Sequence, residues 1–385
     1  MSGADRIFIG GRIFDGNRLR DGIAACFRDG VFTEYLAAED VPQSASCVDL
    51  DGDLLSPGYV DLQVNGGGGI MFNDDPSTAT LKRIADAHRR LGAVTILPTL
   101  ITDTREKTEA AIDAATSAIS EGIRWIGGLH LEGPHLSVTK KGAHDTALIR
   151  PMDDADLEVL LEAKRDIPVL KVTIAPEAVT SEQVTTMARA GILVSLGHTN
   201  ADFETCLSYA RAGARCVTHL FNAMSQLGSR EPGLVGAALS SGTLSAGLIA
   251  DGVHVHPALM RMALASKAKP GGLFLVSDSM AVAGTEQTEF FLDGRRISRK
   301  CGRLTLDDGT LAGADLDLTT AIRVLTEEAQ VPLDAALRAA TTVSGDLIGL
   351  PAPMAPGRTR ISDMIRISSC LRKLTPLDHF QAASD

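Results

Sequence analysis

Between residue 59 and about residue 345 the chain alternates two hydrophobic rhythms: short, nearly all-apolar runs, and longer stretches with apolar residues every three or four positions. The first is the pattern of strands buried on both faces. The second is that of amphipathic helices, as in Thr80-Leu81-Lys82-Arg83-Ile84-Ala85-Asp86-Ala87-His88. Strands are expected at Tyr59 to Asn65, Val94 to Leu100, Trp125 to Leu131, Val169 to Ile174, Ile192 to Leu196, Cys216 to Leu220, Ser245 to Ala250 and Leu273 to Val276. Eight strands separated by helical segments predict an α/β fold, a closed (β/α)8 TIM barrel, over a span slightly longer than the typical ~250 residues. An open doubly wound sheet is the rival, but Gly66 to Gly69 lacks the G-x-G-x-x-G spacing that such a fold carries after its first strand.

The flanks read differently. Residues 1 to about 55 alternate short β-prone runs such as Arg6-Ile7-Phe8-Ile9 and Arg12-Ile13-Phe14 with Gly10-Gly11, Asp15-Gly16 and Asp29-Gly30, which are hairpin signals. Ser56-Pro57-Gly58 then opens the main domain. After Ala340-Thr341-Thr342 the helical pattern gives way to the turn-rich Pro351 to Gly357, and Met364-Ile365-Arg366-Ile367 is one more β-like run, able to return to the N-terminal unit. The expected organisation is a small β domain from residues 1–55 plus 350–385, around a barrel over 56–349.

Composition narrows the function classes. Hydrophobic residues make up 44% and charged residues 22%, an ordinary globular mix. A net charge of −11 opposes nucleic-acid binding, which needs a basic face, and any anionic substrate must be met by local cations. No apolar run reaches the length of a membrane span, and Met1-Ser2-Gly3-Ala4-Asp5-Arg6 lacks the layout of a signal peptide, so a cytoplasmic protein with no membrane partner is expected. Cys26, Cys47, Cys206, Cys216, Cys301 and Cys370 form no C-x-x-C pair and read as reduced thiols.

The chemistry gathers where apolar runs stop. Gly127-Gly128-Leu129-His130-Leu131 ends in Glu132 before Gly133-Pro134, Ile192 to Gly197 runs into His198, and Cys216-Val217-Thr218 runs into His219. A lone histidine is more often a satisfied structural residue. One carboxylate and two imidazoles on separate strand ends instead suit a divalent metal, with positions left for water and substrate. Gln63, Asn65, Glu177, Asn200, Asn222, Asp251, His254 and Asp278 also fall at strand ends and converge at the mouth of a barrel. Asp278, in Leu275-Val276-Ser277-Asp278, reads either as a helix N-cap or as the acid/base that serves a metal-activated water and a leaving nitrogen.

Several stretches together resemble one family. Ser56-Pro57-Gly58-Tyr59-Val60-Asp61-Leu62-Gln63-Val64-Asn65-Gly66, Leu129-His130-Leu131-Glu132-Gly133-Pro134, Lys141-Gly142-Ala143-His144, Gly197-His198-Thr199-Asn200-Ala201, Thr218-His219-Leu220-Phe221-Asn222-Ala223-Met224, Arg230-Glu231-Pro232-Gly233 and Gly309-Thr310-Leu311-Ala312-Gly313 are similar, in order, to N-acetylglucosamine-6-phosphate deacetylases of the amidohydrolase barrels. The resemblance implies a metal-dependent hydrolase in which Glu132, His198 and His219 hold the metal and Asp278 is the acid/base. His144 is a candidate to stabilise the oxyanion. The resemblance further implies that Ala143, His144, Asn222, Ala223 and Leu311, Ala312 and Gly313 contact the amino-sugar phosphate, with Arg230 and the Asp251 to His254 segment nearby. It implies a homodimer, with the histidine at the His254 position supplied across the interface.

Some positions depart from the usual pattern. Many amidohydrolases carry H-x-H at the end of the first strand; here Gln63 and Asn65 stand there, and neutral amides are poor zinc ligands. One divalent ion per subunit is therefore expected, zinc first, with iron, manganese or cobalt as alternatives, and Gln63 and Asn65 are assigned to the substrate side of the site. Ser277-Asp278-Ser279 replaces Thr-Asp-Ala and keeps the acid, while Thr342-Val343-Ser344 and Ser362-Asp363-Met364 differ outside the site. The expected reaction is hydrolysis of N-acetylglucosamine 6-phosphate to glucosamine 6-phosphate and acetate, in amino-sugar catabolism. The alternatives are the N-acetylgalactosamine isomer as substrate, or a sugar-phosphate sensor without catalysis, which predicts a broken ligand set or a missing acid.

Overall fold

The computed structural model of the chain describes residues 5–292 and 294–377, so the outermost parts of the expected small domain, 1–4 and 378–385, lie outside the described residues. Eight parallel strands form one sheet in sequence order: Tyr59–Val64, Ala93–Ile101, Leu129–Glu132, Leu170–Ile174, Leu193–Leu196, Cys216–Val217, Ser245–Leu248 and Leu273–Leu275. Each lies within or next to a run read as a strand from its apolar pattern. The eighth meets the first at their carboxyl ends, where Asp278 N–H donates to Gln63 O at 3.1 Å and Asn65 N–H to Ser279 O at 2.9 Å. The barrel therefore closes at the level of its polar strand ends.

Helices cover the outside, and several start where a side-chain oxygen satisfies an otherwise unpaired N–H. Ser77 caps Thr78–Arg90, Thr104 caps Arg105–Ser120, Asp153 caps Asp154–Asp166 and Asp202 caps Phe203–Ala212. Their inward faces pack on the strands through residues such as Ile84, Ala115, Leu160 and Ala210, all buried.

Strands from both ends of the chain build the small β domain of this (β/α)8 fold. One sheet orders Val31–Ala37, Ile23–Arg28, Arg6–Ile9 and Cys47–Asp49. A second sets the returning strand Met364–Ile367 antiparallel to Leu54–Pro57, with Met364 opposite Pro57 and Ile367 opposite Leu54. Arg366 Nε holds Asp53 Oδ2 at 2.6 Å across that pair, and Phe8, Phe27, Phe32, Leu55 and Met364 form its core.

One element departs from the strand-and-helix reading. After the eighth barrel strand, Glu289–Leu292, Arg295–Lys300, Arg303–Thr305 and Leu311–Ala314 form a four-stranded antiparallel sheet. It is anchored to the barrel where Ala314 pairs with Ser279, and its own apolar cluster joins Phe290, Leu292, Ile297 and Leu304 to Met280 and Ile101. This sheet therefore sits beside the strand ends.

Candidate active site

Glu132 is the last residue of the third strand, and the chain leaves it through Gly133 at φ 94°. A side chain at Gly133 would also strike Thr102 Oγ1, at 2.2 Å. His198, His219 and Asp278 follow the fifth, sixth and eighth strands at φ 46°, 29° and 48°. These left-handed conformations cost non-glycine residues free energy and persist because the surrounding structure enforces them; they turn the side chains away from the strand alternation.

The three residues read as metal ligands meet. Glu132 Oε1 lies 3.2 Å from His198 Nε2 and 3.1 Å from His219 Nε2, and the two Nε2 atoms are 3.0 Å apart. Among the described residues this is the one cluster of three His, Cys, Asp or Glu side chains with ligand atoms close enough for a single metal ion. All three are buried. His198 Nδ1 must donate to Lys140 O, 2.8 Å away, because a carbonyl only accepts, which leaves the Nε2 lone pair aimed at the cluster. Two imidazole nitrogens and one carboxylate oxygen are the donor set of a zinc-type site, so these residues fit such an ion.

Asp278 stands beside them. Gln63 Nε2 donates to Glu132 Oε1 and Oε2 at 3.2 and 3.0 Å and to Asp278 Oδ1 at 3.0 Å, while Asn65 Nδ2 donates to Asp278 Oδ1 at 2.8 Å. Burial raises the Asp278 pKa above the ordinary carboxylate range, and the Glu132 charge raises it further. Glu132 behaves oppositely: burial pushes it up, but the adjacent His198 and His219 rings outweigh that and hold it well below the ordinary range. Two neighbouring carboxylates with pKa values driven apart can take different roles.

His144 is buried, 4.5 Å between ring centres from His198, and its pKa is pushed down to about 3, chiefly by burial. Thr102 N–H donates to its Nδ1 at 3.3 Å. The neutral ring therefore carries its hydrogen on Nε2, as a donor.

These groups open into a cavity of about 280 Å3 whose wall includes Asn65, Ala143, His144, Asn222, Ala223 and His254, with Leu311 and Gly313 on the side of the antiparallel sheet. Of the remaining expected residues, Ala312 and Gln63 are buried and not part of that wall, and Asp251 Oδ2 holds His254 Nδ1 at 2.6 Å. His254, expected from across an interface, lines the cavity of its own chain. Arg230 is not brought to that cavity: it sits exposed in the bend before the helix Gly233–Ser240. Glu177 accepts from Asn200 N–H at 2.8 Å and Thr199 Oγ1 at 2.5 Å, shaping the loop after His198.

Sequence reasoning missed Arg295, whose guanidinium donates to Ala143 O at 2.7 Å from the unexpected sheet, and Thr102, which orients His144. Arg295 lies outside the apolar barrel runs, and Thr102, which closes the second of them, carries a hydroxyl rather than a ligand or acid/base group. A second cavity, of about 290 Å3, lies by the start of the first two barrel strands and is lined by Pro57, Val94, Thr342 and Asp346. Its wall has no such ligand cluster, so the chemistry selects the first.

The Amidohydrolase family profile matches residues 54–353. The chain is also 42% identical over 332 residues to an N-acetylgalactosamine-6-phosphate deacetylase of a Shewanella species, a match covering 86% of this chain and 82% of the relative. It belongs to the amidohydrolase family, in the branch of the amino-sugar-6-phosphate deacetylases. This amidohydrolase is 35% identical to the N-acetylglucosamine-6-phosphate deacetylase of Haemophilus influenzae, over 86% of both chains. In structure it is similar to the N-acetylglucosamine-6-phosphate deacetylase of Pasteurella multocida, with a TM-score of 0.88 at 31% identity over 95% of this chain and 96% of the other. The matched span contains Glu132, His198, His219 and Asp278, so the family assignment and the cluster concern the same part of the fold.

Proposed function

We propose that this amidohydrolase hydrolyses N-acetylglucosamine 6-phosphate to glucosamine 6-phosphate and acetate, in amino-sugar catabolism, with one divalent ion per subunit. The observation that carries the reading is the meeting, in one cavity, of the Glu132, His198 and His219 cluster with a carboxylate of raised pKa, Asp278. A sensor without catalysis predicts that this set is broken, and it is intact.

Glu132, His198 and His219 would hold the ion, preferably zinc, with iron, manganese or cobalt as alternatives. When bound, it supplies Lewis acidity, acidifying a water and polarising the acetyl carbonyl. Asp278 accepts the proton of the attacking water and returns it to the departing nitrogen, which an amide requires because an amine anion leaves poorly. Gln63 and Asn65 both donate to Oδ1, which assigns the proton to Oδ2. His144 Nε2–H is a donor for the negative charge that develops on the carbonyl oxygen. Ala143, Asn222, Ala223, His254 and the Leu311 to Gly313 strand position the sugar phosphate.

We also propose a cytoplasmic homodimer. Among the described residues no helix is long and apolar enough to cross a membrane, and the six cysteines are all unpaired. Among the described residues the cavity wall includes histidines but no lysine or arginine, so a phosphate there calls for a further cation. Arg230 is exposed, three residues after the exposed Leu227, and suits delivery across an interface between two copies.

The Shewanella relative named for the galactosamine isomer supports a second reading, with that sugar as substrate. Acetate release from N-acetylglucosamine 6-phosphate, its galacto isomer and unphosphorylated N-acetylglucosamine separates them. The expected order is gluco above galacto, and both phosphates above the free sugar. Preference for the galacto isomer would replace the main reading with the second; equal use of the free sugar would contradict the phosphate assignment.

A further inference from the structure

Beneath the ligand cluster lies a second polar layer with no role in the chemistry above. Thr99 Oγ1 meets His130 Nδ1 at 3.1 Å, His130 Nε2 meets Thr173 Oγ1 at 2.7 Å, Thr173 Oγ1 meets Thr218 Oγ1 at 2.7 Å, and Thr218 Oγ1 meets Ser195 Oγ at 2.6 Å. All five residues have no exposed surface. A barrel interior is ordinarily filled by branched apolar side chains, and buried polar groups cost free energy unless every one is paired, so this chain of bonds needs a reason.

One hydrogen order serves every bond. Thr99 has a single hydroxyl hydrogen, which goes to Leu97 O at 3.1 Å, while its oxygen accepts from Val64 N–H at 3.0 Å. His130 must then donate to it from Nδ1 and accept at Nε2. Thr173 donates to His130, Thr218 to Thr173, and Ser195 to Thr218. The array is directional and fully satisfied.

Its placement indicates what it holds. His130 lies two residues before Glu132, Ser195 three before His198, and Thr218 immediately before His219. Thr173 belongs to the fourth strand, which supplies no ligand; its register partners are Glu132 on one side and Ser195 on the other. A Cβ at Gly197, the residue before His198, would come within 2.9 Å of Thr218 Cβ and 3.0 Å of Thr173 Cγ2, so the threonines bear directly on the backbone entering that ligand.

We propose that Thr99, His130, Thr173, Thr218 and Ser195 form a positioning belt that sets the separation of the three ligand-bearing strand ends, with the Thr173 hydroxyl as its central link. The proposal rests on the metal-site reading above. Zinc affinity, measured by competition with a chromogenic chelator, tests it in wild type, Thr173→Val, Thr173→Ser and Ser195→Ala, alongside circular dichroism of the metal-free proteins. Thr173→Val, which removes both hydroxyl bonds at nearly constant volume, is expected to weaken zinc binding ~10-fold or more with an unchanged spectrum, and Thr173→Ser to stay within ~3-fold of wild type. Wild-type affinity in the valine variant overturns the belt. So does a serine variant as weak as the valine one, since that assigns the effect to a lost methyl group. If the valine variant does not fold, Ser195→Ala decides, weaker binding supporting the belt and unchanged binding overturning it. Wild-type protein that takes up no zinc overturns the metal site itself, and the belt with it.

Discussion

The amide nitrogen of Gln63 lies 3.0 Å from Asp278 Oδ1 while also donating to both oxygens of Glu132. A neutral N–H2 group thus stands between two carboxylates that would otherwise face each other in a buried space, and it lets one stay ionised beside the other. Many amidohydrolases carry H-x-H here, which ligates a second metal; in this chain Gln63 and Asn65 instead donate their N–H groups to Glu132 and Asp278.

Replacing Gln63 and Asn65 together by histidine is therefore expected to raise the zinc content from about one to about two ions per chain, since imidazole is a zinc ligand and a carboxamide is a poor one. Elemental analysis after dialysis checks this. A double variant that still holds a single ion would mean that Gln63 does not occupy the second position.

Asp278→Asn keeps an oxygen acceptor for Gln63 and Asn65 but cannot carry the proton. Turnover should fall on the order of 10²-fold or more, with zinc content unchanged. Near-wild-type turnover in this variant would remove Asp278 from the acid/base role.

The pH profile follows from the Asp278 environment. Burial and then the Glu132 charge raise its pKa, so the protonated form persists to higher pH than for a free aspartate, and only the carboxylate can accept the proton of water. In the metal-free protein the titration of Asp278, followed by carboxyl-carbon NMR, should therefore place its acid limb above the ~3.9 of unperturbed aspartate. Gln63→Leu, which removes a donor to the carboxylate, should move the limb further up. A limb at or below the unperturbed value, or one unmoved by Gln63→Leu, would contradict this assignment.

Metal removal should also lower stability, because an ion bound only by the folded chain stabilises it by about 2.7 kcal/mol at a free concentration one hundred times its dissociation constant. Thermal unfolding with chelator and with added zinc measures this. The difference should vanish in His198→Ala, which loses one of the three ligands; a zinc-dependent shift of equal size there would point to a site elsewhere.

The barrel and its four central side chains were legible because each of Glu132, His198, His219 and Asp278 closes an apolar run, and such runs mark both a buried strand and the place where it ends. The sheet from Glu289 to Ala314 was not. Arg295–Lys300 holds four basic residues and one buried isoleucine, a pattern with little periodic signal, and the Arg295 contact with Ala143 went unseen with it. The hydroxyl belt was hidden for another reason: Thr99, Thr173 and Thr218 are ordinary strand residues locally, and only barrel closure brings them together. The placement of His254 in the cavity of its own chain depends on the loop held by Asp251, a geometry that local pattern does not encode.

The most direct test of the account is acetate release from N-acetylglucosamine 6-phosphate while metal-free protein is titrated with zinc. Activity should be absent at the start, rise in proportion to added metal and break at one equivalent per chain, with no such rise in Glu132→Gln. Full activity without metal, or none at one equivalent of bound zinc, would contradict it.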